Sequence, residues 1–166
     1  KSSAKRADFI VVTKCPDNLS KKDKNLFIQS LNPVENQKVF FSSLTYLQKI
    51  KSQSEEIDID VLKYDNFILV TGIADSSYLV NFLKLKDLKF KHLRYSDHYN
   101  FHKSSIDKIS ELSLNKKILT TEKDFGRLNP KINNRDIFYI EVGLKFPNEI
   151  NEDDFDSYLE GYLKRD

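Results

Sequence analysis

Short apolar runs alternate with amphipathic stretches along this chain, and that alternation constrains its fold more than any other feature. Residues 67–70 read Phe-Ile-Leu-Val, a run of strand length, and Thr71-Gly72-Ile73-Ala74 then turns the chain. Asp75 or Ser76 can cap a helix that carries Tyr78, Leu79, Phe82 and Leu83 on one face. Residues 88–94 return as a strand. Ser104 and Asp107 have capping-box spacing ahead of Ile106, Ile109 and Leu112, and residues 117–119 and 137–142 read as two further strands.

The flanks carry a weaker version of the same pattern. Residues 7–13 form a compact apolar run that reads as a buried strand, closed by Lys14-Cys15-Pro16, where proline forbids a continued ladder. Ser20 and Asp23 predict a helix start before Leu26, Phe27 and Leu31, and residues 39–41 read as a short strand. Residues 45–59 are polar and ambiguous, with an exposed loop expected over 52–56. Asn151 is the expected cap of a last helix whose Phe155, Tyr158, Leu159, Tyr162 and Leu163 follow the spacing of a helix packed on a sheet. The β-α-β order predicts one α/β domain over 1–166, a layered α/β/α architecture of Rossmann-like type with a mostly parallel sheet, because right-handed crossovers place helices on both faces.

Composition then removes several functions. A net charge of +2, with neither a paired Cys/His finger nor an aromatic RNP pattern, speaks against a nucleic-acid partner. The single cysteine, Cys15, forms no internal disulfide and points to a reducing compartment. The apolar runs fall far short of the ~20 residues that span a bilayer, and the expectation is a soluble chain. The four glycines, at 72, 126, 143 and 161, are too far apart to build either a G-x-x-x-x-G-K-[ST] loop or G-x-G-x-x-G. There is no methionine, even at position 1, which suggests a piece of a longer protein.

Three predicted strand ends carry polar residues, where open α/β sheets place their ligands. Tyr95-Ser96-Asp97-His98-Tyr99 offers acid/base chemistry, since imidazole titrates near neutrality and a carboxylate can fix its tautomer. The plainer reading is a capping aspartate and a surface histidine. Because successive strand residues face opposite ways, Asp97 and His98 need not touch. Thr120-Thr121-Glu122-Lys123-Asp124 reads either as an ordinary helix start or as an oxyanion cradle with Lys123 facing a phosphate. Gly72 either turns the chain or admits close approach of a ligand.

Other clusters carry less. His98 and His102 lack the base and third ligand of a metal site, so no metal is expected on this chain. Cys15 reads as a buried structural thiol. Lys84, Lys86, Lys89, Lys91, His92 and Arg94 form the densest basic stretch, either a solvated face or one that attracts phosphates or an anionic membrane surface. A noncatalytic regulatory domain that binds a nucleotide or sugar phosphate is the alternative function. A hydrolase with Asp97 as nucleophile is a remote third, since no D-x-D spacing accompanies it.

Taken in order, Arg6-Ala7-Asp8, Val11-Val12-Thr13-Lys14-Cys15-Pro16, Phe41-Ser42-Ser43-Leu44 with Tyr46, Thr71-Gly72-Ile73-Ala74, Ser96-Asp97-His98-Tyr99-Asn100-Phe101 and Thr120-Thr121-Glu122-Lys123-Asp124 with Arg127-Leu128 resemble the second half of the tetraacyldisaccharide 4'-kinase family, the lipid A 4'-kinases of Gram-negative bacteria. The resemblance implies transfer of the γ-phosphoryl of ATP, with Mg2+, to the 4'-hydroxyl of a lipid A precursor disaccharide at the cytoplasmic face of the inner membrane. It implies that the family's other half, the N-terminal partner of this piece, holds the phosphate loop, the magnesium-binding acids, the catalytic aspartate and a membrane-associating helix. By itself, this chain is then expected to be inactive and to bind no cofactor. In that frame His98, beside Asp97, pairs with the catalytic aspartate. Gly72, Thr120, Thr121 and Lys123 are candidates for binding substrate or nucleotide by their place at the strand ends, not assignments that the resemblance carries over. Asp75 departs from the asparagine expected there.

Overall fold

In a computed structural model, residues 4–132, 136–146 and 152–164 are described. They divide into two compact units, Lys1–Thr45 with Gly143–Asp166, and Tyr46–Val142. In the first unit β1 (Phe9–Val12) pairs in parallel with β2 (Lys38–Phe41), in the register Phe9 to Lys38 through Val12 to Phe41. The intervening α1 (Lys21–Leu31) starts as its sequence predicts, with Ser20 as N-cap accepting the Asp23 N–H at 3.1 Å.

One expectation for this unit is corrected: β1 is only half-buried, because one partner strand covers too little of it. α1 buries none of its residues, leaving Leu26 and Phe27 about half exposed. What holds the unit is aromatic. Phe155, Tyr158 and Tyr162 of α5 (Glu152–Leu163) surround Phe9, while Phe155 and Tyr158 also meet Phe40, all at ring separations of 4.9–6.4 Å. The helical spacing read near the C-terminus thus does pack on strands, whereas its expected cap, Asn151, lies outside the described residues. Cys15 is buried and its thiol donates to the Val12 carbonyl, a structural role.

The second unit is built around β5 (Phe67–Thr71), every residue of which is buried. Sheet order is β4-β3-β8-β7-β5-β6, where β3 is Ser43–Lys51, β4 Glu56–Asp58, β6 Phe90–Arg94, β7 Ile118–Thr121 and β8 Ile137–Lys145. The pairs β5–β6, β5–β7 and β7–β8 are parallel. Alternation along β5 sorts the core. Phe67 and Leu69 pack with Leu79 and Leu83 of α2 (Ser77–Leu85), while Ile68 and Val70 pack with Ile109 of α3 (Lys103–Leu112) and Leu128 of α4 (Glu122–Leu128). Helices therefore cover both faces of a mixed, mostly parallel sheet, as the β-α-β order predicts.

Three local differences have physical causes. Residues 45–59, ambiguous in sequence, form the antiparallel hairpin β3–β4 around the expected exposed loop, with Lys49 and Lys51 both paired to Glu56 along the sheet edge. The N-cap of α3 is His102 rather than Ser104, so the Ser104 and Asp107 spacing caps nothing. At the start of α2 it is Asp75 whose carboxylate accepts the Ser77 N–H, at 2.8 Å; a bond from the Ser77 hydroxyl and then this one hold its pKa below the ordinary carboxylate value.

Candidate functional site

After β5 the chain moves outward to β6, then crosses back over β5 to β7. The strand order therefore reverses between β5 and β7, and their carboxyl ends define the position at which open α/β sheets bind ligands. Gly72, just beyond β5, and Thr121, the last residue of β7, sit there.

Asp124 joins these ends. It is fully buried, and its Oδ2 accepts both the Gly72 N–H at 2.8 Å and the Thr121 hydroxyl at 2.9 Å. Thr121 in turn accepts the Asp124 N–H at 3.2 Å, as a side-chain cap on α4. Arg127, one turn on, approaches Asp124 Oδ1 at 3.4 Å through Nη1 and donates from Nη2 to His98 Nδ1 at 3.1 Å. His98 closes the ring by donating its own N–H to the Gly72 carbonyl at 3.0 Å. Glycine suits position 72, since a Cβ there would stand 3.0 Å from Asp124 Oδ1 and the carboxylate would have to give by a few tenths of an ångström.

This ring brings together Gly72, Thr121 and His98 from three strand ends. Asp97 is adjacent, but in a turn beyond β6, so strand alternation does not govern it; its Oδ2 lies 3.8 Å from His98 Nε2, and its Oδ1 accepts the His98 N–H. His98 takes a left-handed φ of 54°, uncommon outside glycine, and is held there by the two hydrogen bonds its N–H donates, to the Gly72 carbonyl and the Asp97 carboxylate. Its ring is 75% exposed, while the segment behind it is pinned by Lys131, which donates to the Asn100 side chain and the Phe101 carbonyl.

The remaining candidates lie apart from the ring. Thr120 is buried and its hydroxyl donates to the Val70 carbonyl, so it serves the sheet. Lys123 is exposed in the first turn of α4. The sequence places Asp124 and Arg127, the two residues that organise the site, within a motif but assigns neither a role of its own. The signal for Asp124 was present, because Thr121 and Asp124 have the same capping spacing as Ser20 and Asp23.

The ring also decides what the strand ends do not do. The Gly72 N–H and the Thr121 hydroxyl, two donors an oxyanion cradle would use, already point at a carboxylate of the same unit. Among the described residues no three His, Cys, Asp or Glu side chains group to hold a metal ion.

A Rossmann-like α/β unit with an exposed, hydrogen-bonded histidine at its switch point defines the class. A family model for tetraacyldisaccharide-1-P 4'-kinase, LpxK, matches residues 1–163, and the chain belongs to that family. A tetraacyldisaccharide 4'-kinase of Flavobacterium psychrophilum is 36% identical over 166 residues, covering 99% of this chain and 47% of that protein. That of Flavobacterium johnsoniae is 30% identical over 164 residues, with the same coverage. Among solved structures, LpxK from Aquifex aeolicus in complex with ATP shares the fold with a TM-score of 0.56 at 21% identity, over 96% of this chain and 42% of that one. The chain thus spans about half the length of the relatives it matches.

Proposed function

We propose that this chain is part of a tetraacyldisaccharide 4'-kinase and supplies a supporting histidine to phosphoryl transfer. The complete protein moves the γ-phosphoryl of ATP onto the 4'-hydroxyl of a tetraacylated disaccharide 1-phosphate, at the cytoplasmic face of the inner membrane. The family match over residues 1–163 carries this reading. The nucleotide, its Mg2+ and the carboxylate that takes the hydroxyl proton are assigned to polypeptide outside these 166 residues.

His98 is suited to the supporting role. Guanidinium has no acceptor, so the Arg127 contact requires a lone pair on Nδ1 and leaves the proton of the neutral ring on Nε2. An exposed Nε2–H can donate to a carboxylate and hold it oriented towards an acceptor hydroxyl. Phosphoryl transfer depends chiefly on such positioning and charge stabilisation. The Asp124 ring fixes His98 relative to β5, with Asp97 at its outer side.

The test compares two preparations with radiolabelled ATP and the lipid acceptor. The complete protein is expected to label the acceptor and the 166-residue chain alone is not. Transfer by the isolated chain would refute the division of labour.

A further inference from the structure

Phe9-Ile10-Val11-Val12 is a continuous apolar run, the pattern of a strand that lies inside a parallel sheet with both faces covered. Among the described residues, however, β1 has β2 as its one neighbour and stands at an edge. Its two faces do carry helices. Rings of α5 lie over Phe9 and Phe40 on one side, and Phe27 of α1 meets Phe41 on the other at a ring separation of 6.3 Å. The outer edge is bare. The Val12 carbonyl accepts the Ser42 N–H at 2.9 Å, so Val12 and Ile10 direct their backbone groups at β2, and alternation turns those of Phe9 and Val11 outward. Neither of these two residues has a partner for its N–H or C=O among the described residues.

The outer strands of the six-stranded sheet are protected by charge. β6 carries Lys91 and Arg94, and β4 carries Glu56 and Asp58. Charges placed in this way keep an edge from pairing with another strand. β1 has none over its four residues. α1 is a second sign of the same gap, since it buries none of its residues and leaves Leu26 54% exposed. Two strands between two helices make an incomplete layer.

We infer that the outer edge of β1 takes a parallel strand from polypeptide outside these 166 residues, which makes β1 an inner strand of a larger sheet in the complete protein. The chain covers 47% of the Flavobacterium psychrophilum relative, so more than half of that protein's length is available to supply such a strand. A second copy fits less well. Two-fold pairing would set β1 against its own mate antiparallel, whereas an uninterrupted apolar strand with helices over both faces suits a parallel neighbour. The surface stands on β1 alone. That its donor is the half holding the phosphate loop rests on the kinase reading, and there the two parts share one sheet.

Amide hydrogen exchange in the complete protein tests the edge residue by residue. With a strand added, all four β1 amides are slow, and those of Phe9 and Val11 exchange at least ~10³-fold more slowly than open amides. With the edge free, protection alternates, slow at Ile10 and Val12 and fast at Phe9 and Val11, and that pattern overturns the inference. Sedimentation of the same preparation identifies the donor. Protection that persists in a monomer assigns the strand to the same polypeptide; protection lost as a dimer is diluted to monomer gives the edge to a second copy and also overturns it. Neither measurement reads phosphoryl transfer, so a protein that transfers no phosphate yet protects Phe9 and Val11 would lose the kinase reading and keep this surface.

Discussion

Arg127 donates to His98 Nδ1 across 3.1 Å, and this one contact sets which nitrogen of the imidazole faces outward with a proton. The bond joins residues 29 apart in sequence and depends on Asp124 holding the other edge of the guanidinium at 3.4 Å. A buried carboxylate therefore acts on an exposed ring through an arginine between them.

Removing Arg127 should release the tautomer. In two-bond proton–nitrogen spectra of the imidazole, the native ring is expected as the Nε2–H form, and Arg127→Ala should give a mixture. Arg127→Lys, which keeps a donor and the charge, should restore part of the preference. Identical spectra for native and Arg127→Ala protein would remove the contact from the account.

Gly72→Ala tests the ring from its backbone side. The added methyl meets Asp124 Oδ1 at 3.0 Å and has Phe101 and the Ser96 carbonyl at 3.5 Å, so the carboxylate must move away from the Gly72 N–H. Overpacking of this kind costs about 1–3 kcal/mol. A lower urea midpoint is expected, and a midpoint equal to the native one would show that the space is not tight.

The acid side of the stability profile should depend on His92. Its Nε2 lies 2.8 Å from the Thr71 hydroxyl, and burial, followed by the nearby Arg94 cation, lowers its pKa from the ordinary 6.5. As pH falls below that value the unfolded chain takes up a proton before the folded chain does, so stability present above 6.5 is lost as pH drops towards the folded value. The ring is partly exposed, which keeps the effect small. Melting temperature measured from pH 7 to 5 should fall less steeply in His92→Gln than in native protein; parallel slopes would contradict the assignment.

Much of this fold is legible in the sequence wherever one segment decides its own structure. The run Phe67-Ile68-Leu69-Val70 and the helical spacing of Leu79 and Leu83 locate β5 and α2, and the rule for strand ends brings Gly72, His98 and Thr121 together before any coordinates. What stays hidden depends on distant partners. Tyr46 and Ile50 are four apart, a spacing that suits a helix face or alternate positions of a strand, and only pairing with β4 and burial settle it as β3. Asp124 shows as a local cap, yet its bond to Gly72 spans 52 residues, and nothing near either residue signals it. The left-handed turn at His98 is likewise fixed from the far side, by the Gly72 carbonyl.

The central claim is that an exposed imidazole at this switch point supports phosphoryl transfer by a larger kinase. Turnover of the complete enzyme carrying His98→Ala, with KM for ATP measured in parallel, addresses it most directly. The account predicts kcat reduced by roughly one to three decades with little change in KM for ATP; native turnover in a folded His98→Ala enzyme would contradict it.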